Sequence, residues 1–161
     1  MKVNKGGMSV SVLSKAIKRE NIIFLSNDIK IKEIALNSMS LVLLNNGYVK
    51  ESYIEAVKKR ELEFPTGLNT RSYGIAIPHV DSKHVKETTI AVGILKEAIV
   101  FQEMGSENST VPVRIIFMLA IHDPSKQLNV LQEIISLIEN GVKIDELVQA
   151  RDVEDVLDIL N

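Results

Sequence analysis

The run Ile115-Ile116-Phe117-Met118-Leu119-Ala120-Ile121 constrains this chain more than any other feature. A strand with one wet face alternates apolar and polar residues, and a surface helix places polar residues on its outer side. An unbroken apolar run of this length reads instead as a central strand covered on both faces. Such a strand needs a layer of helices above it and another below. The run belongs to a longer strand expected over Val111–Ile121, and three further strand segments precede it: Gly74–Ile77, closed by Pro78, then Thr88–Leu95 and Ile99–Phe101. A short strand is also expected at Ile22–Leu25.

Helical patterns occupy the remainder. Ser26, Asn27 and Asp28 offer capping oxygens for a helix beginning near Ile29, with Ile31, Ile34, Ala35, Leu41, Val42 and Leu44 at helical spacing. Asn45-Asn46-Gly47 ends it, since Asn and Gly tolerate the left-handed conformation beyond a helix C-terminus. A second helix runs from about Glu51 to Glu61, with Ile54, Ala56 and Val57 inward, and Pro65 forces the chain out of helical geometry at Phe64. Asp123-Pro124 reads as an N-cap followed by a first helical residue. The helix it opens carries Leu128, Leu131, Ile134, Ile135 and Ile138 inward and stops at Asn140-Gly141. Two short helices, Ile144–Ala150 and Val153–Leu160, close the chain. Helices before, between and after strands give an α/β fold, a single layered domain with a central mixed β-sheet flanked by helices.

Composition removes several function classes. The chain has 161 residues, enough for one domain with a proper core, and no cysteine, which excludes disulfides, thiol nucleophiles and thiolate metal sites. A net charge of −2, seven aromatic residues and no Trp weigh against nucleic-acid binding. No apolar stretch approaches the ~18 residues of a membrane span. The expectation is a soluble, cytoplasmic protein. Charge is uneven: residues 1–20 hold Lys2, Lys5, Lys15, Lys18 and Arg19 against Glu20 alone, and read as a basic arm or short helix before a single domain over residues 21–161.

Chemistry concentrates in Arg60-Glu61-Leu62-Glu63-Phe64-Pro65-Thr66-Gly67 and in Ile75-Ala76-Ile77-Pro78-His79. Pro78 has no N–H and so ends the strand's ladder. His79 therefore stands at a strand end, where open α/β sheets hold their reactive groups. Imidazole titrates near neutrality and is a competent nucleophile. A lone histidine there can equally be a hydrogen-bonded structural residue, and Arg60 alone reads as a cation near a helix C-terminus.

Taken together, these segments resemble the IIA domains of the mannitol/fructose class (type 2) of the bacterial phosphoenolpyruvate-dependent sugar phosphotransferase system. The resemblance rests on Arg60-Glu61, Pro65-Thr66-Gly67, Ile75–His79 and the Asp123-Pro124 helix start, and spans roughly residues 20–160. The stretch Arg60–Leu68 looks closest to the galactitol-type branch. The resemblance implies a mannitol-type IIA fold and a protein-histidine phosphoryl carrier without cofactor or metal. It implies that His79 accepts a phosphoryl group from phospho-HPr and passes it to a cysteine of a IIB component, which serves a membrane IIC permease. It further implies that Arg60 stabilises phosphate, that the Pro-Thr-Gly turn supplies the Thr66 hydroxyl and backbone N–H groups, and that Gly67 allows close approach. Val80, Ile77 and Phe64 are the expected apolar docking residues around His79. The same chemistry would serve a regulatory IIA-like domain that controls a partner without feeding a transporter.

This chain departs from many relatives at Gln127, which stands where a second histidine is common in a pattern like Asp-Pro-x-x-His-Leu. Gln127 can donate a hydrogen bond but adds no charge. A second departure is Val80, where a small residue is common after the active histidine. His84 reads either as a helper that holds phosphate or orients His79, or as an exposed loop histidine. His122 follows the central strand, and its side-chain direction is open. The spacing in His79-Val80-Asp81-Ser82-Lys83-His84 is not that of a metal site, and no Gly-rich nucleotide loop is present.

Overall fold

The computed structural model describes residues 12–161. Residues 1–11 of the expected basic arm lie outside the described residues. The elements run α1 (Val12–Ala16), β1 (Ile17–Phe24), α2 (Lys32–Asn45), α3 (Ser52–Glu63), β2 (Gly67–Leu68), β3 (Gly74–Ala76), β4 (Thr89–Gln102), β5 (Thr110–Ala120), α4 (Gln127–Glu139), α5 (Gly141–Val148) and α6 (Val153–Leu160). Short 3₁₀ turns lie at Ser82–His84 and Pro124–Lys126.

One mixed five-stranded sheet has the order β1-β4-β5-β3-β2. The β1–β4 and β3–β5 pairs are parallel, and β4–β5 and β2–β3 are antiparallel. β5 holds the centre, as its apolar run requires. Ile116, Met118 and Ala120 face one layer, in which Leu36, Met39 and Leu43 of α2 and Tyr53 and Val57 of α3 pack. Ile115, Phe117 and Leu119 face the other, against Leu13, Val130, Ile134, Ile144, Leu147 and Val156 from α1, α4, α5 and α6. The two-sided burial is what allows the strand to lack polar residues, since each large apolar side chain removed from water contributes about 1.5–3 kcal/mol. Among the described residues, no helix is long and apolar enough to cross a membrane.

Several boundaries differ from the sequence expectations. β1 begins at Ile17, not Ile22, and pairs Ile17 with Ile90, so Lys18–Glu20 are strand residues. Ser26 is not a helix cap: its hydroxyl accepts from Asp28 N at 3.2 Å and its carbonyl from Ile29 N at 3.0 Å, closing a turn before α2. The two segments Thr88–Leu95 and Ile99–Phe101 are one strand, β4, whose register on β5 shifts between Ile94 and Ile99. That bulge turns Lys96, Glu97 and Ala98 outward, which explains the polar interruption. Gly47, at φ 84°, ends the α2 region in the left-handed conformation. On α3 the inward face is Tyr53, Val57 and Glu61, while Ile54 and Ala56 are only half-buried.

The parallel β3–β5 pair decides where chemistry can sit. The chain beyond β3 stays alongside β5, with Leu119 N donating to Pro78 O at 2.9 Å. His79 and the segment after β5 therefore emerge at the same end of the sheet.

Candidate active site

Glu61 lies one helical turn beyond Val57 on the buried face of α3 and is 2% exposed. A carboxyl in that position needs hydrogen-bond partners. The chain supplies them by leaving the helix at once: Phe64 N donates to Arg60 O at 2.7 Å, and Pro65 turns the backbone back over the helix end. Thr66 N then donates to Glu61 Oε2 at 2.7 Å, and the Thr66 hydroxyl donates to Oε1 at 2.8 Å. The same hydroxyl accepts from Ile77 N at 3.1 Å. Burial pushes the Glu61 carboxyl up to about 7, against the two Thr66 donors and Lys32, which favour the charged form.

His79 follows directly. Its Nδ1 lies 2.8 Å from Ile77 O. A carbonyl only accepts, so Nδ1 carries the proton and Nε2 carries the lone pair. Burial holds the ring's pKa below the ordinary histidine value, and the Arg60 charge adds to this; the Ile77 carbonyl and Asp81 pull the other way. The ring is therefore favoured in its neutral form, with one nitrogen fixed and the other available.

Arg60 extends from the last turn of α3, with its guanidinium carbon 4.9 Å from the centroid of the Phe64 ring. Its Nε–H is buried without a hydrogen-bond partner, and among the described residues Arg60 forms no ion pair. A buried, unpaired donor costs about 1–3 kcal/mol, so the site favours any acceptor that reaches it. Lys59, Arg60, Lys83 and His84, with Phe64 and Val80 and the carboxylates Glu63 and Asp81, line a cleft of about 350 Å³. His84 presents its Nδ1 to Ser52 Oγ at 2.8 Å. Within it the Arg60 guanidinium is the group suited to an anion's oxygens, while Glu63 and Asp81 offset part of the positive charge.

The structure thus gathers Arg60, Glu61, Thr66 and His79, with His84 across the cleft. It differs from expectation at three points. Thr66 is 3% exposed and its N–H and hydroxyl are engaged with Glu61 and Ile77, so it faces inward and does not offer them to a phosphate. The close approach at Gly67 is to protein: a Cβ there would stand 2.7 Å from Gln102 O. Val80 and Ile77 are buried, at 6% and 2% exposure, whereas Phe64 is exposed. Gln127, half-buried, opens α4 at the same end of the sheet. His122 is exposed, with its backbone N–H bonded to Thr88 Oγ1 at 2.9 Å. Among the described residues, no cluster of three His, Asp or Glu side chains could hold a metal ion.

Glu61 itself is what sequence reasoning named without assigning a task. The signal was present in the four-residue spacing Tyr53, Val57, Glu61, which puts a carboxylate on a buried face. Gly67 yields a direct stability test. Gly67→Ala pushes β2 off the end of β4 and should cost about 1–3 kcal/mol. Thermal denaturation should show Tm lower by roughly 5 °C; an unchanged Tm would mean that the contact with Gln102 relaxes freely.

Comparison with known proteins decides the family. Residues 16–161 match the model of the phosphoenolpyruvate-dependent sugar phosphotransferase system, EIIA 2. The chain belongs to this EIIA family. The domain is 28% identical over 106 residues to the galactitol-specific EIIA component of Escherichia coli strain K12, covering 66% of this chain and 70% of the relative. It is 28% identical over 134 residues to the transcriptional regulator ManR of Bacillus subtilis strain 168, covering 82% of this chain and 19% of that protein. The crystal structure of IIA mannitol from Escherichia coli superposes with a TM-score of 0.73 at 25% identity, covering 90% of this chain and 99% of the other. The EIIA fold is therefore shared across the whole described sheet, and EIIA domains act as phosphoryl carriers.

Proposed function

We infer that this EIIA domain carries a phosphoryl group on Nε2 of His79, accepting it from phospho-HPr and passing it to a cysteine of a IIB partner. The partner serves a IIC permease for a hexitol or related sugar of the galactitol type, and the domain works in the cytoplasm. The observation that carries this reading is a tautomer-fixed imidazole within electrostatic reach of the Arg60 guanidinium, whose Nε–H has no hydrogen-bond partner and which lines an open cleft. In the accepting step the Nε2 lone pair attacks phosphorus, the new N–P bond forms, and the donor's N–P bond breaks with its electron pair returning to the donor imidazole. The proton stays on Nδ1, which goes on donating to Ile77 O, and this contact stabilises the phosphorylated ring. In the donating step a thiolate attacks the same phosphorus and His79 leaves as neutral imidazole. Such transfer asks the protein mainly for in-line placement and for charge stabilisation. Arg60 is placed for the second task.

A regulatory reading has one supporting observation, the similarity to ManR over most of this chain. The two readings part in a single experiment. The protein is incubated with labelled phospho-HPr, the label is mapped, and the product is chased with a panel of IIB domains. Label on His79 that moves to a galactitol-class IIB cysteine is the expected result. Label that stays on His79 against every IIB tested supports the regulatory reading, and label on another residue overturns the acceptor assignment.

A further inference from the structure

The two-residue strand β2 stops just short of the residue that matters. It pairs Gly67 with Ala76 and Leu68 with Ile75, so the next opposed pair would be Thr66 and Ile77. There the ladder is continued by a side chain: Ile77 N donates to the Thr66 hydroxyl at 3.1 Å, not to a strand carbonyl. The hydroxyl in turn donates to Glu61 Oε1 at 2.8 Å, and Thr66 N to Oε2 at 2.7 Å. All four groups are buried. Downstream, the Ile77 carbonyl receives His79 Nδ1 at 2.8 Å, and Pro78 O receives Leu119 N at 2.9 Å.

We propose that Glu61 and Thr66 are positioning residues for His79, forming a hydrogen-bonded chain from the end of α3 through the Thr66 hydroxyl to Ile77, whose carbonyl fixes the tautomer of the ring. The proposal rests on the reading of His79 as phosphoryl acceptor. The direction of the chain gives it content. Thr66 has one hydroxyl proton, and with Ile77 N–H donating to the oxygen, that proton must go to an acceptor. Glu61 supplies one on each oxygen and pins both the backbone and the side chain of Thr66. Without it, the hydroxyl is free to rotate and the 65–67 turn loses its tie to α3. The Ile77 residue is then held only from the β5 side, and its carbonyl no longer has a fixed direction. His79 would exchange between its two neutral tautomers, and the lone pair would leave Nε2 for part of the time.

Thr66→Val is the first test, because it keeps the shape and removes only the hydroxyl. Thr66→Ser should behave as the unaltered protein. In the resting protein, ¹⁵N NMR of the His79 ring should show a mostly Nδ1–H tautomer that shifts toward mixed tautomers in Thr66→Val. The rate of phosphoryl acceptance at saturating phospho-HPr should fall a few-fold, in step with the fraction of the ring that loses its lone pair from Nε2. KM for phospho-HPr should change less than about twofold, since no docking group is touched. Glu61→Ala should shift the tautomer in the same direction, and Glu61→Gln, which keeps one acceptor for Thr66 N but sets an NH2 donor against the Thr66 hydroxyl proton, should recover only part of the rate. A folded Thr66→Val protein with unaltered ring signals and unaltered acceptance rate overturns the proposal, whatever its Tm. Because the ring signals are read without phosphorylation, the two ideas fail separately. Label mapping away from His79 with a shifted tautomer would sink the acceptor reading and leave the positioning chain standing.

Discussion

His79→Ala should fold and take up no label from phospho-HPr, a fall of at least about 10⁴-fold, the order expected when a covalent nucleophile is deleted. Folding should survive because the ring is only half-buried and its one hydrogen bond is to the Ile77 carbonyl, which water can replace. Near-UV circular dichroism and Tm close to those of the unaltered protein are the check. The loss of transfer should be complete because neither remaining histidine can substitute. His84 has its Nδ1 engaged with Ser52 and lies in the 3₁₀ turn Ser82–His84, and His122 is exposed beyond β5. His84→Ala should lower acceptance only a few-fold, through the lining of the cleft. Full acceptance by His79→Ala would remove the central assignment, and with it the meaning given to the Nδ1 contact.

The parts of this fold that sequence reveals are those whose identity is set by burial on both sides or by a turn residue with a fixed conformation. β5 is legible because Ile115 to Ile121 has no polar position, and α3 stops where Pro65 compels it to. β2 is not legible. It is two residues long and exists only because β3 and the end of β4 lie beside it, which no local pattern records. The start of α2 misleads for a related reason: Ser26, Asn27 and Asp28 are good caps, but the backbone they stabilise is a turn, and the helix opens at Lys32 without a side-chain cap. In the site, His79 and Arg60 are visible because their residue types carry chemistry. Thr66 is visible as a residue but not in its orientation, since which way a hydroxyl points depends on a carboxylate five residues back and a peptide eleven residues on. On the proposed function, the inward turn of Thr66 leaves the stabilisation of phosphate to fewer groups.

That concentration makes Arg60 the second residue with a large expected effect. With the Thr66 donors engaged, the guanidinium, Lys59 and Lys83 are the cations lining the cleft, against the carboxylates of Glu63 and Asp81. Lysine ammonium groups on long exposed stems are well hydrated and lose much of their pull to solvent, whereas Arg60 has a buried Nε–H and a guanidinium resting on Phe64. Arg60→Ala should therefore slow acceptance by roughly 10²–10³-fold, the usual cost of deleting one preorganised donor at developing charge. Arg60→Lys should recover only part of it, because a point charge cannot present two parallel N–H groups. The same substitution has a signature in the resting protein. Arg60 holds the His79 pKa down, after burial, so removing the cation should raise the midpoint of the ring's NMR titration toward the ordinary 6.5. Phe64→Ala should act in the same direction and more weakly, by releasing the guanidinium from its ring. An Arg60→Ala protein with wild-type acceptance and an unmoved His79 midpoint would place the guanidinium outside the reacting centre and leave the cleft without its main anion-binding group.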